Sequence, residues 1–502
     1  MTINEFNECT QKLRSSSMFY MSLGSKELFH SNFLHWLSIV DWDYFIKIMH
    51  NLANTKEFWW ESIHEQAPNE IEVRREDKNF DLSIWIFDSK KEVKRKDSKK
   101  DDDDGDKYSS DTQKEYKEKW IPVLILENKM KSLPYREQLE EYVDKAFNIW
   151  RKSEKASFIK DEIKDHKEEG LEEWNTKYGI SLIVLSLLTP TNKTELESNI
   201  IKKIQYSKDK IKRDLQISFN WKCNTYKDLF KAFPKEGINP IGMDKAFLNN
   251  IIFDYKKFIG TLYSLASNDW EITENMAKNS IFLDKVHPMR SNNKDEIEKH
   301  NQLEKLRISD IREKICYDQL LKLLMNKLND NKLNDSSIRR LRKEDFNSKD
   351  SRNKFFCRTN YFHNVGLFEA IYMIKERDPN KKDDEPFFLT IQIQGNYYTH
   401  GISGKDIVKK GNNGDNEIGD FFNQIGGKDA WGKKLKNFFD FKREVSTIAG
   451  IPIKEKGTFY RYGSNFIYQC AEISEKLTIM DIIEKIVEDV NKIKSNEKEL
   501  KI

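Results

Sequence analysis

Two stretches of the chain are apolar at consecutive positions, a pattern that neither an amphipathic helix nor a half-exposed strand requires. They are Val123-Leu124-Ile125-Leu126 and Leu182-Ile183-Val184-Leu185, the latter within residues 180–188. Each reads as a short strand covered on both faces. The pattern around them is mixed. Residues 25–40 carry apolar side chains at helical spacing (Leu28, Phe33, Leu34, Trp36, Leu37), with Ser25 as an N-cap. Residues 71–76 and 80–87 read as strands parted by the turn-forming Asp77-Lys78-Asn79. Leu139, Val143, Ala146 and Phe147 predict a helix over 135–150. The polar stretch 153–177 is also read as helical, and 221–233 and 247–265 as two closing helices. The order helix, strand, strand, strand, helix, strand predicts a small mixed sheet with helices on its faces.

The second half has its own pattern. A long amphipathic helix is expected over 308–328, then strands over 355–358, 365–375, 386–400 (bent at Gly395-Asn396) and 459–469, then a terminal helix over 476–493. The glycine-rich loops at 411–419 and 426–427 lack the strand–loop–helix layout of a nucleotide-binding loop. Residues 89–119, with the run Asp101 to Asp104, break the first half with a charged excursion, read as a disordered or extended hairpin tip. The expected division is therefore an α/β unit over 1–265, a helical connection over 266–305, and a C-terminal α+β unit over 306–502. The length of 502 residues accommodates two or three domains. Charged residues make up 34% of the chain, yet the net charge is only +3, so nucleic-acid binding would need a local basic patch. The five cysteines are far apart and form no CxxC pair, which argues against a zinc site or a disulfide framework and fits a reducing cytoplasm. No run approaches the ~20 apolar residues that a membrane-spanning helix needs, so no membrane partner is expected.

The chemistry concentrates where the first apolar run ends, at Glu127-Asn128-Lys129. Side chains alternate along a strand, so Glu127 and Lys129 share one side and Asn128 faces the other. A carboxylate there can hold a hard divalent cation, and the amine can orient a water or meet a phosphate. A plain ion pair at a strand end is the alternative. Asp81 opens a strand among residues that otherwise favour burial, so either a partner cation or a set of backbone amides is expected beside it. Gln138 and Tyr142 are one helical turn apart and share a face, as do Glu27 and His30. In the second half Tyr397, Tyr398, Tyr460 and Tyr462 are candidates for stacking on bases or a ligand, with core packing as the alternative.

Asp81, the Glu127-Asn128-Lys129 strand end and Gln138-x-x-x-Tyr142 together resemble the PD-(D/E)XK nuclease superfamily. The stretch Glu27-Leu28-Phe29-His30-Ser31-Asn32-Phe33-Leu34, Arg75-Glu76 ahead of Asp81, and Leu188-Thr189-Pro190 resemble one bacterial branch of it. The proline of the family's name is replaced by Phe80. The resemblance covers residues 20–190 and fades by 265. It implies a restriction-endonuclease-like αβββαβ core and hydrolysis of phosphodiester bonds, in DNA, with a role in bacterial defence against phage or foreign DNA. It assigns Mg²⁺ or Mn²⁺ to Asp81 and Glu127 with the main-chain carbonyl of Asn128, and Glu27 as a further ligand. It gives Lys129 the task of positioning or activating water, and Gln138 and Tyr142 that of holding the lysine or the phosphate. A second copy of the chain or a regulatory protein is an expected partner. A catalytically inactive nuclease fold that binds nucleic acid or protein is the other reading the residues allow.

Overall fold

The computed structural model describes residues 1–23, 26–53, 70–93, 115–129, 136–153, 179–187, 218–238, 244–330, 339–340, 355–362, 365–375, 387–403 and 466–495, with short pieces at 408–410, 416–418, 447–448, 451–452, 454–455 and 460–462. The chain divides into two compact units. One is Gln11–Ser267; the other joins Met1–Thr10 to Asn268–Ile502. Residues 268–305, expected to be a connection, are grouped with the second unit. They carry helices Glu274–Asn279, Phe282–Val286 and Lys294–Lys305.

The first unit is mixed α/β. Its sheet has five strands in chain order: β1 (Ile71–Arg75), β2 (Leu82–Val93), β3 (Glu115–Lys129), β4 (Gly179–Ser186) and β5 (Ser218–Thr225). The pairs β1–β2 and β2–β3 are antiparallel, while β3–β4 and β4–β5 are parallel. The sheet thus changes character at β3, whose residues 121–128 are all buried. Pro122 lies opposite Trp85 at a register shift, and its carbonyl accepts a hydrogen bond from Trp150 Nε1 at 2.7 Å. A proline is tolerated there because the parallel pairing to β4 begins only at Leu124.

Helices α1 (Ile3–Arg14), α2 (Ser17–Ser22), α3 (Lys26–Val40) and α4 (Trp42–Ala53) precede the sheet. Helix α5 (Arg136–Trp150) follows β3, and α6 (Tyr226–Ala232) and α7 (Lys245–Asn268) follow β5. Leu139, Val143, Ala146, Phe147 and Trp150 of α5 are buried, as its spacing predicts. Residues 154–178 and 188–217 lie outside the described residues, and with them the helix expected over 153–177 and Leu188-Thr189-Pro190. The N-cap expected at Ser25 lies outside them too.

The structure corrects the helix expected over 221–233. Residues 218–225 are a strand, and only from Tyr226 is the chain helical. The charged excursion is also shorter than 89–119. Strands β2 and β3 stay paired out to Val93 and Glu115, leaving 94–114 outside the described residues.

In the second unit, the main sheet pairs Phe355–Phe362, Val365–Lys375, Phe387–Gln394, Tyr397–Ser403 and Phe466–Glu472 as successive antiparallel neighbours. The bend expected in 386–400 is a tight turn, with Gly395 at φ 58°. One buried cluster joins this sheet to helices Ser309–Asp330 and Ile479–Ser495. Tyr398 belongs to that core. It is fully buried and donates to Asp489 Oδ2 at 2.8 Å, so it does not offer a stacking face.

Candidate active site

Strand β3 emerges from its buried run with alternating side chains. Glu127 turns to the face covered by α5, where Gln138 Nε2 donates to its Oε1 at 2.7 Å. Asn128 turns to the opposite face, where it accepts from Tyr226 Oη at 2.8 Å. Lys129 returns to the Glu127 side, with its ammonium 2.9 Å from Glu127 Oε1. The Glu127 side chain is only 2% exposed, and that of Lys129 is 18% exposed. The pair is therefore a buried anion under a cation that water can reach.

The antiparallel register sets Leu82 across from Leu126, so Asp81 comes in beside Glu127. Asp81 Oδ2 accepts the Asn128 backbone N–H at 2.6 Å. The turn that delivers it is strained: Glu76 and Lys78 both sit at positive φ, 55° and 56°, at about 1–2 kcal/mol each for a residue with a Cβ. Arg74 steadies the turn through Asp77 and Glu72 at 3.0 and 2.8 Å.

Helix α5 presents Gln138 and Tyr142 together, as their spacing requires. Gln138 Nε2 lies 2.8 Å from Tyr142 Oη as well as bonding Glu127. Tyr142 is buried, and burial followed by the Glu127 charge pushes its hydroxyl pKa upward. Its phenol stays protonated as a hydrogen-bonding group.

Glu127 is the electrostatic centre. Burial first, then repulsion from Asp81, push its carboxyl up to about 7. Lys129 opposes that rise without cancelling it. The second carboxylate oxygen, Glu127 Oε2, is buried and makes no hydrogen bond. A buried carboxylate oxygen left so beside a second carboxylate suits a hard cation, which would lift both penalties together.

The expected site residues therefore divide clearly. Asp81, Glu127, Lys129, Gln138 and Tyr142 converge on one strand end. Asn128 contributes its backbone there and sends its side chain to the other face. Glu27 lies on α3, but its side chain is outside the described residues. Among the described residues no group of three or more His, Cys, Asp or Glu side chains is arranged to hold a metal ion. The carboxylates that meet at this strand end are the pair Asp81 and Glu127.

Sequence reasoning missed Tyr226. Its signal was present: Thr225 and Asp228 form a reciprocal capping box that fixes Tyr226 as the first helical residue. Compared with known proteins, the chain matches no family model, no curated relative and no solved structure.

Proposed function

We propose that the unit 11–267 is a metal-dependent nuclease that hydrolyses phosphodiester bonds in DNA. The observation that carries this reading is the buried Glu127 Oε2 without a hydrogen-bond partner, on a carboxyl whose other oxygen meets Lys129 and which Asp81 repels. A structural ion pair at a strand end would pair both oxygens or expose one. The three antiparallel strands, the helix and the parallel strand that follow α3 also agree with a restriction-endonuclease-like core.

In this reading Asp81 and Glu127 hold Mg²⁺ or Mn²⁺, with the Asn128 carbonyl as a neutral third donor. The cation, when bound, acidifies a water and offsets charge on the phosphate. Gln138 fixes Glu127 Oε1, and Oε2, which has no hydrogen-bond partner, would be the oxygen left to hold the cation. Lys129, the solvent-reachable member, places a positive donor where a water or a phosphate oxygen can lie. Tyr142 buttresses Gln138.

The test is cleavage of supercoiled plasmid in Mg²⁺ by the wild type and by Lys129→Ala, with Mn²⁺ binding followed by calorimetry. Turnover lost in the variant with Mn²⁺ still bound supports the assignment. Equal cleavage by both proteins removes it, and DNA binding without cleavage by the wild type favours an inactive nuclease fold.

A further inference from the structure

The face of the sheet opposite Glu127 holds a second set of buried polar groups, and it is built around the same peptide. Asn128 is 1% exposed and Tyr226 is 0% exposed, and the tyrosine hydroxyl donates to Asn128 Oδ1 at 2.8 Å. The Asn128 backbone N–H donates to Asp81. Residue 128 is thus held by its side chain on one face and by its backbone N–H in the plane of the sheet. Across β4, Lys129 pairs with Ser186, and Ser186 pairs with Thr225. Tyr226 follows immediately as the first residue of α6. The register of three strands and one capping box therefore delivers its hydroxyl to Asn128.

Behind Tyr226 stands His30 of α3. The two rings lie 4.8 Å apart between centroids. His30 is fully buried, stacked on Phe258 at 5.7 Å, with Nδ1 2.9 Å from Tyr255 Oη. Burial lowers its pKa to about 3, so the ring is neutral. Its Nε2 is buried and makes no hydrogen bond. An aliphatic side chain there would take away the partner of the buried Tyr255 hydroxyl. The imidazole thus holds Tyr255 by a hydrogen bond and packs its ring against Tyr226 and Phe258.

We propose that Tyr226, braced by His30, is a positioning residue that sets the rotation of the Glu127–Lys129 strand end through Asn128. The proposal rests on the nuclease reading for its consequence, but not for its geometry. Rotation about β3 moves Glu127 and Lys129 on one face when Asn128 moves on the other. Fixing Asn128 thereby aims the carboxylate at Asp81 and the ammonium at solvent. Small misalignments of this kind lower turnover more than substrate affinity.

The experiment uses the full chain and Tyr226→Phe, which removes the hydroxyl and keeps the ring. The first readout is hydrogen exchange at the Asn128 amide, resolved by mass spectrometry with electron-transfer fragmentation. The second is plasmid cleavage, separated into kcat and KM. Tyr226→Phe should speed Asn128 exchange and lower kcat, each by about tenfold, the scale of one lost hydrogen bond. KM and exchange in α5 should stay as in the wild type. Asn128→Leu should show the same kcat loss, and the double variant no further loss. Unchanged Asn128 exchange in Tyr226→Phe would overturn the proposal. So would faster exchange throughout the unit with additive losses in the double variant, because Tyr226 would then be a packing residue. Should the wild type cleave nothing, the nuclease reading fails, and the exchange measurement still decides whether Tyr226 fixes the strand end.

Discussion

Replacing Glu127 by glutamine removes one charge and keeps the shape, and its effect should depend strongly on pH. In the folded chain the Glu127 carboxyl is held near 7 by burial and by Asp81, against 4.5 for a free side chain. Below pH 4.5 the group is protonated in both folded and unfolded chains and contributes no penalty. Between 4.5 and 7 the unfolded chain releases the proton while the folded chain retains it, so stability falls as pH rises. Above that range the loss is complete and amounts to about 3 kcal/mol. The substituted amide cannot titrate, and its oxygen can still accept from Gln138 and Lys129. Glu127→Gln should therefore gain stability over the wild type by about 3 kcal/mol on going from about pH 4 to about pH 8 in EDTA. The assay is urea unfolding read by hydrogen exchange in peptides from β3, which isolates this unit from the other. Mg²⁺ at a hundredfold excess over its Kd should restore about 2.7 kcal/mol to the wild type and nothing to the variant. Parallel pH profiles for the two proteins would refute the reasoning, because Glu127 would then not be a charge held against its environment.

Other substitutions probe the neighbouring contacts. Asp81→Ala should cost about 1–3 kcal/mol by leaving the buried Asn128 N–H without its acceptor, measurable by the same unfolding assay, and it should weaken Mn²⁺ binding in calorimetry. Gln138→Leu should lower kcat and raise the Glu127 pKa further, as read from the pH–rate profile, because Glu127 Oε1 loses a donor. In the second unit, Asp489 accepts from Tyr398, His400 and Lys485 at 2.8, 2.9 and 2.9 Å. Removing it as Asp489→Leu should cost about 1–3 kcal/mol by leaving the buried Tyr398 hydroxyl without its acceptor while Lys485 keeps Glu488, seen as early unfolding of that unit with β3 exchange unchanged.

The part of the site that could be read from the sequence is the part that local rules dictate. An apolar run of four ending in Glu-x-Lys reads as a buried strand with two polar side chains on one face, and β3 is that strand. Gln138 and Tyr142 followed from helical spacing alone. Asp81 was legible as a carboxylate needing company, and the Asn128 backbone amide is one of its partners. Strand β5 was missed although Phe219, Trp221 and Cys223 alternate with polar residues, because it runs directly into a capped helix. Its apolar aromatics at the start of a helical stretch blurred the period-2 signal. Tyr226 was lost with it: the Thr225–Asp228 capping box marks where its helix starts, but its contact with Asn128 depends on a register across three strands. Stacking and core packing both stood open for Tyr398, and core packing is the outcome, held by Asp489, which lies 91 residues away.

The most direct measurement is cleavage of supercoiled plasmid, linear duplex, single-stranded DNA and RNA by the wild type and by Asp81→Ala/Lys129→Ala, each in Mg²⁺, Mn²⁺ and EDTA. A metal-dependent nuclease at the β3 strand end cuts DNA with either cation, is silent in EDTA, and loses all cutting in the double variant. Cleavage that persists in the double variant or in EDTA would place the chemistry elsewhere, and no cleavage together with no Mn²⁺ bound would leave Asp81, Glu127 and Lys129 as a structural cluster.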